Sequence, residues 1–119
     1  MEIVLFKIRT REDVDRGQYE RAFAEMLEKV AEIPGYVDIT GYAGEDGSEM
    51  AVARFETAEA IAVWRGQPDH VRTRERGRTE FFESYDITIA TEWKHYAWSR
   101  RSSASGMEAV DARAGTPDV

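Results

Sequence analysis

Apolar positions along this chain alternate, or recur at helical spacing, in a series of stretches whose order predicts its architecture. Residues 2–9 read as a strand. Val4, Phe6 and Ile8 make one wholly apolar face, and Ile3 and Leu5 begin the other before it turns to Lys7 and Arg9. From 18 to 33 the apolar residues Tyr19, Ala22, Phe23, Met26, Leu27, Val30 and Ile33 follow helical spacing, and Pro34-Gly35 stops that helix. Residues 36–42 read as a second strand, Glu45-Asp46-Gly47 as a turn, and residues 50–55 as the hairpin partner. Thr57 suits a helix N-cap, with Glu59 adding favourable charge in the first turn. A short helix over 58–64 then ends at Gly66, and Pro68 opens a second helical stretch to about Ser84. Residues 85–98 are expected to form a long last strand, with Ile87 and Ile89 on one face and Trp93, His95 and Ala97 alternating further on. Beyond Arg101 the Ser, Gly, Ala and Pro content has no periodicity. The division is therefore a domain over 1–100 and a disordered tail over 101–119.

The order β-α-β-β-α-β is the ferredoxin-like plan of the α+β class, an antiparallel sheet with helices on one face. Such a plan leaves the second sheet face bare. Here that face is partly apolar too, since Met50 and Val52 stand opposite Ala51, Ala53 and Phe55 on the third strand. The simplest cover is the same face of a second copy, which predicts a homodimer, a dimeric α/β barrel closing two sheets around an internal pocket. At about 25 cal/mol per Å2, a few hundred Å2 of shared apolar surface would supply several kcal/mol.

Composition removes several function classes. With 119 residues there is room for one modest core. A net charge of −7 argues against nucleic acid as a partner, because phosphate binding needs a basic field. From Ser99 onward the charges cancel, so the whole excess lies on residues 1–98. The absence of Cys excludes disulfides, thiolate metal ligands and a cysteine nucleophile. No apolar run is long enough to span a membrane and no secretory leader is visible, so the expectation is a cytoplasmic protein without a membrane partner. The two histidines, His70 and His95, lie far apart on different elements without metal-ligand spacing, so no metal is expected. No phosphate-binding glycine loop and no Ser-His signature occur.

The segment from Ala62 to Tyr85 carries the sharpest signature. It holds Trp64, Pro68-Asp69-His70, Gly77-Arg78, the pair Phe81-Phe82, and Tyr85, and it follows the strand and cap VARFETAEA. With them the chain, over about residues 2–98, resembles the antibiotic biosynthesis monooxygenase domain family. It is most similar to a branch carrying a Trp, a Pro-acidic-His and a Gly-Arg before an aromatic pair. The resemblance implies a dimeric α/β barrel. It does not imply one chemistry: one branch oxidises aromatic polyketide anthrones to quinones without metal or flavin, and another binds and degrades haem.

The haem branch uses an Asn on the first strand, a Trp, and a His ligand nine or ten residues after it. Trp64 matches, but the chain has no Asn, and Thr73 and Arg74 stand where the ligand would be. Haem ligation by His70 is therefore the minor alternative, and a non-catalytic ligand-binding barrel is a further one. The resemblance to the cofactor-independent branch makes a small aromatic or phenolic molecule the expected substrate and molecular oxygen the co-substrate. The protein must then desolvate the substrate, accept a proton and stabilise an oxyanion. The candidates are Trp64 as an aromatic wall, His70 as proton acceptor, and Arg54 or Arg78 as oxyanion partner. Each has a structural alternative. Trp64 could anchor the core and His70 could lie in an exposed first turn. Arg54 could pair with a carboxylate such as Glu56 or Glu92, and Arg72–Arg78 could be mostly a solvated helix face. Gly77 costs about 1 kcal/mol inside a helix, which close packing against another element would explain. His95 is expected at an interface rather than in catalysis.

Overall fold

The computed structural model of the chain describes residues 1–101, so the tail expected over 101–119 lies, but for Arg101, outside the described residues. Strand β1 (Glu2–Thr10) leads to helix α1 (Arg16–Val30), then to the hairpin β2 (Tyr36–Ala43) and β3 (Glu49–Phe55). Helices α2 (Ala58–Gly66) and α3 (Pro68–Arg76) follow, α3 runs into one wide π-helical turn (Gly77–Phe81), and β4 (Phe82–Thr91) closes the sheet. The four strands lie in the order β2-β3-β1-β4, antiparallel throughout, as the ferredoxin-like plan requires.

The helix boundaries follow from local chemistry. The Asp15 carboxylate accepts from the Gln18 amide at 3.0 Å, which starts α1 before the first apolar repeat. The helix ends at Val30 rather than at the expected Ile33, and Gly35 (φ 95°) turns the chain into β2. A side chain there would put its Cβ 2.9 Å from the Ala60 Cβ. Thr57 caps α2 as expected, its hydroxyl accepting from the Ala60 amide at 3.1 Å. Gln67 ends α2 and caps α3, accepting from the His70 amide at 2.7 Å, with Pro68 in the first turn.

The end of the chain departs from the sequence reading twice. The last helix does not reach Ser84, because β4 begins at Phe82, opposite Thr10. Nor does β4 reach Trp98. Its neighbour β1 begins at Glu2, paired with Thr91, and the amide of Glu92 donates to the Met1 carbonyl at 2.9 Å as the last link. Beyond it residues 92–98 have no regular structure. Trp93, His95 and Ala97 are thus not strand positions, and Trp93 is 87% exposed.

The two faces of the sheet differ sharply. Val4, Phe6, Ile8, Ala53, Phe55 and Ile87 face the helices, and Phe55 (1% exposed) joins Val30, Ala60, Ile61 and Trp64 in the core. On the other face stand Ile3, Leu5, Lys7, Val52 and Arg54, with Asp38 and Thr40 beside them on β2. No helix covers that face among the described residues.

Candidate functional site: an apolar cavity between sheet and helices

A cavity of about 420 Å3 opens between the helix-facing side of the sheet and α1, α2 and α3. Its size is that of a small-molecule site, for which roughly 300–1,000 Å3 is usual. The cavity lies within one chain, on the helix side. It is not the space between two sheets that the sequence reading expected. The reason is the small side chains Gly41, Ala51 and Ala53 on β2 and β3, which leave the sheet low beneath α1 and α3.

One end of the cavity is built by α2 and α3. Trp64 is 8% exposed and belongs to the core cluster while also lining the cavity, so the roles of anchor and wall coincide. The His70 ring lies against the Trp64 ring, with centroids 4.2 Å apart and planes inclined by 35°. The kink at Gln67-Pro68 brings them together, because it breaks the helix between the two residues and folds α3 back over α2. The Nδ1 of His70 is buried and has no hydrogen-bond partner. Burial first, and then the charges of Arg74 and Arg65, lower its pKa to about 4, so the imidazole is neutral at physiological pH.

The other end is aromatic. Phe6, Tyr19, Phe82 and Tyr85 pack edge to face with centroid separations of 5.6–6.0 Å. Burial, then the nearby Glu49, pushes the Tyr19 hydroxyl up to about 12, so it stays a proton donor. Arg16 sits over the Tyr19 ring at 5.2 Å and pairs with Glu49 at 3.4 Å. The Nε of Arg78 donates to the Tyr85 hydroxyl oxygen at 2.7 Å, which leaves that hydroxyl's own hydrogen available to another acceptor. Gly77 makes this end possible. A Cβ there would stand 2.5 Å from Cε2 of Phe82, so the π-helical turn and the ring fit only around a bare backbone.

Of the residues singled out from sequence, Trp64 and His70 meet at the cavity wall. Arg78 reaches it only through Tyr85. Arg54 does not reach it. Arg54 lies on the helix-free face, where its Nε and Nη2 donate to both Asp38 oxygens at 2.8 and 2.6 Å. Its partner is a carboxylate, as the structural alternative had it, but that of Asp38 across the β2–β3 pair rather than Glu56 or Glu92, although Glu92 adds to the field that holds Arg54 charged. Tyr19, Arg65 and Arg74 line the cavity and were not candidates, and Tyr85, part of the signature segment, lines it too. Tyr19 was legible only as a helix-face apolar residue, and Arg74 only as part of a charged run. In that run Arg72 pairs with Asp69 and Arg76 with Glu80 at the surface, whereas Arg74, one turn after His70, turns inward with Thr73.

No cluster of His, Cys, Asp or Glu able to hold a metal occurs among the described residues. No helix among them is long and apolar enough to cross a membrane. For haem, the departure from that branch's ligand pattern stands as the sequence gives it, with no Asn in the chain and Thr73 and Arg74 at the ninth and tenth positions after Trp64.

The sequence profile of antibiotic biosynthesis monooxygenases matches residues 1–76. The chain is 24% identical over 88 residues to the uncharacterised protein YqjZ of Bacillus subtilis, spanning 74% of this chain and 75% of that protein. Its fold is similar to the crystal structure of Rv0793 from Mycobacterium tuberculosis, with a TM-score of 0.70 at 16% identity, covering 81% of this chain and 98% of that one. It is also similar to SnoaB, a cofactor-independent oxygenase from Streptomyces nogalater, with a TM-score of 0.67 at 17% identity, covering 79% and 94% of the two chains. These structural likenesses establish the fold, and the profile match establishes descent: the chain belongs to the antibiotic biosynthesis monooxygenase family.

Proposed function

We propose that the protein is a cofactor-independent monooxygenase that oxidises a planar phenolic or enolisable aromatic molecule held in this cavity. Family membership supports a monooxygenase-like role, and the similarity to a cofactor-independent oxygenase supports chemistry without metal or flavin. The observation that carries the reading is the half-buried His70 imidazole, laid on Trp64 beside an apolar cavity, with its Nδ1 buried and without a hydrogen-bond partner.

The chemistry needs little from the protein. His70 takes a proton from the substrate as it enolises. A neutral imidazole with so low a pKa is a weak base in the empty site, but the enolate formed beside it would stabilise the imidazolium. The enolate passes one electron to O2, the resulting radical and superoxide combine, and the peroxide loses water to leave a new carbonyl. One oxygen atom enters the product and the other leaves as water. Trp64 and the surrounding apolar side chains exclude solvent. The Tyr85 hydroxyl, held by Arg78, donates to the oxyanion at the far end. Arg54 has no part in this chemistry. It belongs to the helix-free face, which on this reading pairs with the same face of a second copy to form the dimeric barrel.

Incubation with a neutral model anthrone, with and without O2, tests the reading. Native protein should accelerate quinone formation only in the presence of O2, and His70→Gln should slow it by about 10²-fold, the lower range for loss of a positioned base. Equal rates with and without native protein would sink it. Absence of a Soret shift on adding hemin is the matching expectation for haem.

A further inference from the structure

We propose that the Trp64–His70 end of the cavity is an anion subsite, and that the molecule it accepts is a planar aromatic carboxylate. The inference deepens the function proposed above, because it rests on the cavity being where an aromatic molecule binds.

Three observations converge on this end. Arg65 and Arg74 line the cavity and are half-buried, yet neither has a carboxylate partner among the described residues. Elsewhere Arg9, Arg11, Arg16, Arg54, Arg72 and Arg76 each hold an acidic side chain, and the chain carries 23 acids against 16 bases. In so acidic a protein, two inward-turned arginines without an acid are a site prepared for an anion from outside. Second, Arg74 and Arg65 are the charges that act on the His70 ring beside them, with no acid among those charges to offset them.

Third, Asp69, the acid next to His70 in sequence, is engaged elsewhere. Asp69 accepts from Gln67 at 3.3 Å and is held by Arg72 and by Lys29 at 3.8 Å. These contacts face a smaller cavity of about 250 Å3 between α1 and α3, on the far side of the Trp64–His70 wall. The opposite end of the main cavity has the reverse character. Glu20 and Glu49 line it, and Arg16 pairs with Glu49 there. A flat acid would therefore enter with its carboxylate toward Arg65, Arg74 and the Thr73 hydroxyl. Its rings would lie over Ala51 and Ala53, and a carbonyl or hydroxyl at the far edge would meet Tyr85.

Paired probes test this: anthraquinone-2-carboxylate and its neutral counterpart 2-methylanthraquinone, titrated at neutral pH. Native protein should bind the carboxylate at least tenfold more tightly, the return expected of one charge-assisted hydrogen bond. The advantage should narrow as salt is added. The double variant R65Q/R74Q should bring the two affinities together while leaving that for the methyl probe unchanged, which also reports an intact fold. R65K/R74K should keep much of the advantage. Equal affinities in the native protein overturn the subsite, as does failure of the carboxylate to bind. So does an advantage that survives R65Q/R74Q, or a double variant that loses both probes alike. The outcome is separable from that of the proposed function. A neutral anthrone can be oxidised with no carboxylate preference, and a carboxylate preference can exist with no oxidation.

Discussion

The two faces of the sheet are made by alternate residues of the same strands, yet they end in opposite states. On the helix side Ala53 and Phe55 of β3 belong to a dry core and the floor of a cavity, and the titratable groups near them are left without partners or have displaced pKa values. On the other side Arg54, between those two residues in sequence, spends its guanidinium on Asp38. A charge that can reach a cross-strand carboxylate is satisfied and chemically quiet. The His70 Nδ1, buried beside Trp64, has no such partner.

The contrast is sharpest in stability. Phe55→Ala should cost about 3–5 kcal/mol, as for other buried aromatics in well-packed cores, read from urea unfolding. Val52→Ala, on the bare face, should cost much less in dilute protein and more where copies associate. Equal, concentration-independent losses at the two positions would erase the distinction drawn between the faces. Leu5→Lys should leave the secondary structure unchanged and, if the bare faces pair, convert a dimer to a monomer by light scattering.

Acid should act next, through His70. Its folded pKa is depressed to about 4, whereas the unfolded chain takes up its proton near pH 6.5. Between those values the unfolded state binds more protons, so the stability tied to the neutral imidazole is full above pH 6.5 and declines as pH falls toward 4. His70→Gln should flatten the fall in urea midpoint across that window, and a profile matching the native one would remove burial as its cause. The smallest change should come from Arg54→Met. That pair is part-exposed and solvent-screened, so the expected shift in urea midpoint is slight. Asp38, whose carboxyl is held below its usual range first by hydrogen bonding from Arg54, should titrate higher in the variant.

Trp64 and His70 were legible because Gln67-Pro68 marks a helix break between two residues of unusual chemistry, and the family signature runs through the same segment. Tyr19 was not, since an amphipathic Tyr in an apolar repeat reads the same whether its hydroxyl faces water or a cavity, and Tyr85 stood in the signature without a role for its hydroxyl. Arg74 was hidden for a related reason. In a run with arginine at every second position, helical geometry turns some inward and some outward, and the choice depends on what α3 packs against.

Period and punctuation alone determined the order of elements, the cap at Thr57, the helix start at Pro68, and the ferredoxin-like plan, because these depend on residues a few positions apart. Three features were decided only by the tertiary structure. β4 stops at Thr91, opposite Glu2, where its ladder with β1 ends. The cavity lies under the helices because Gly41, Ala51 and Ala53 lower the sheet there. Arg54 and Arg74, alike in sequence, differ in state because only one has a carboxylate across from it. Each depends on what lies opposite in space, which no local pattern records.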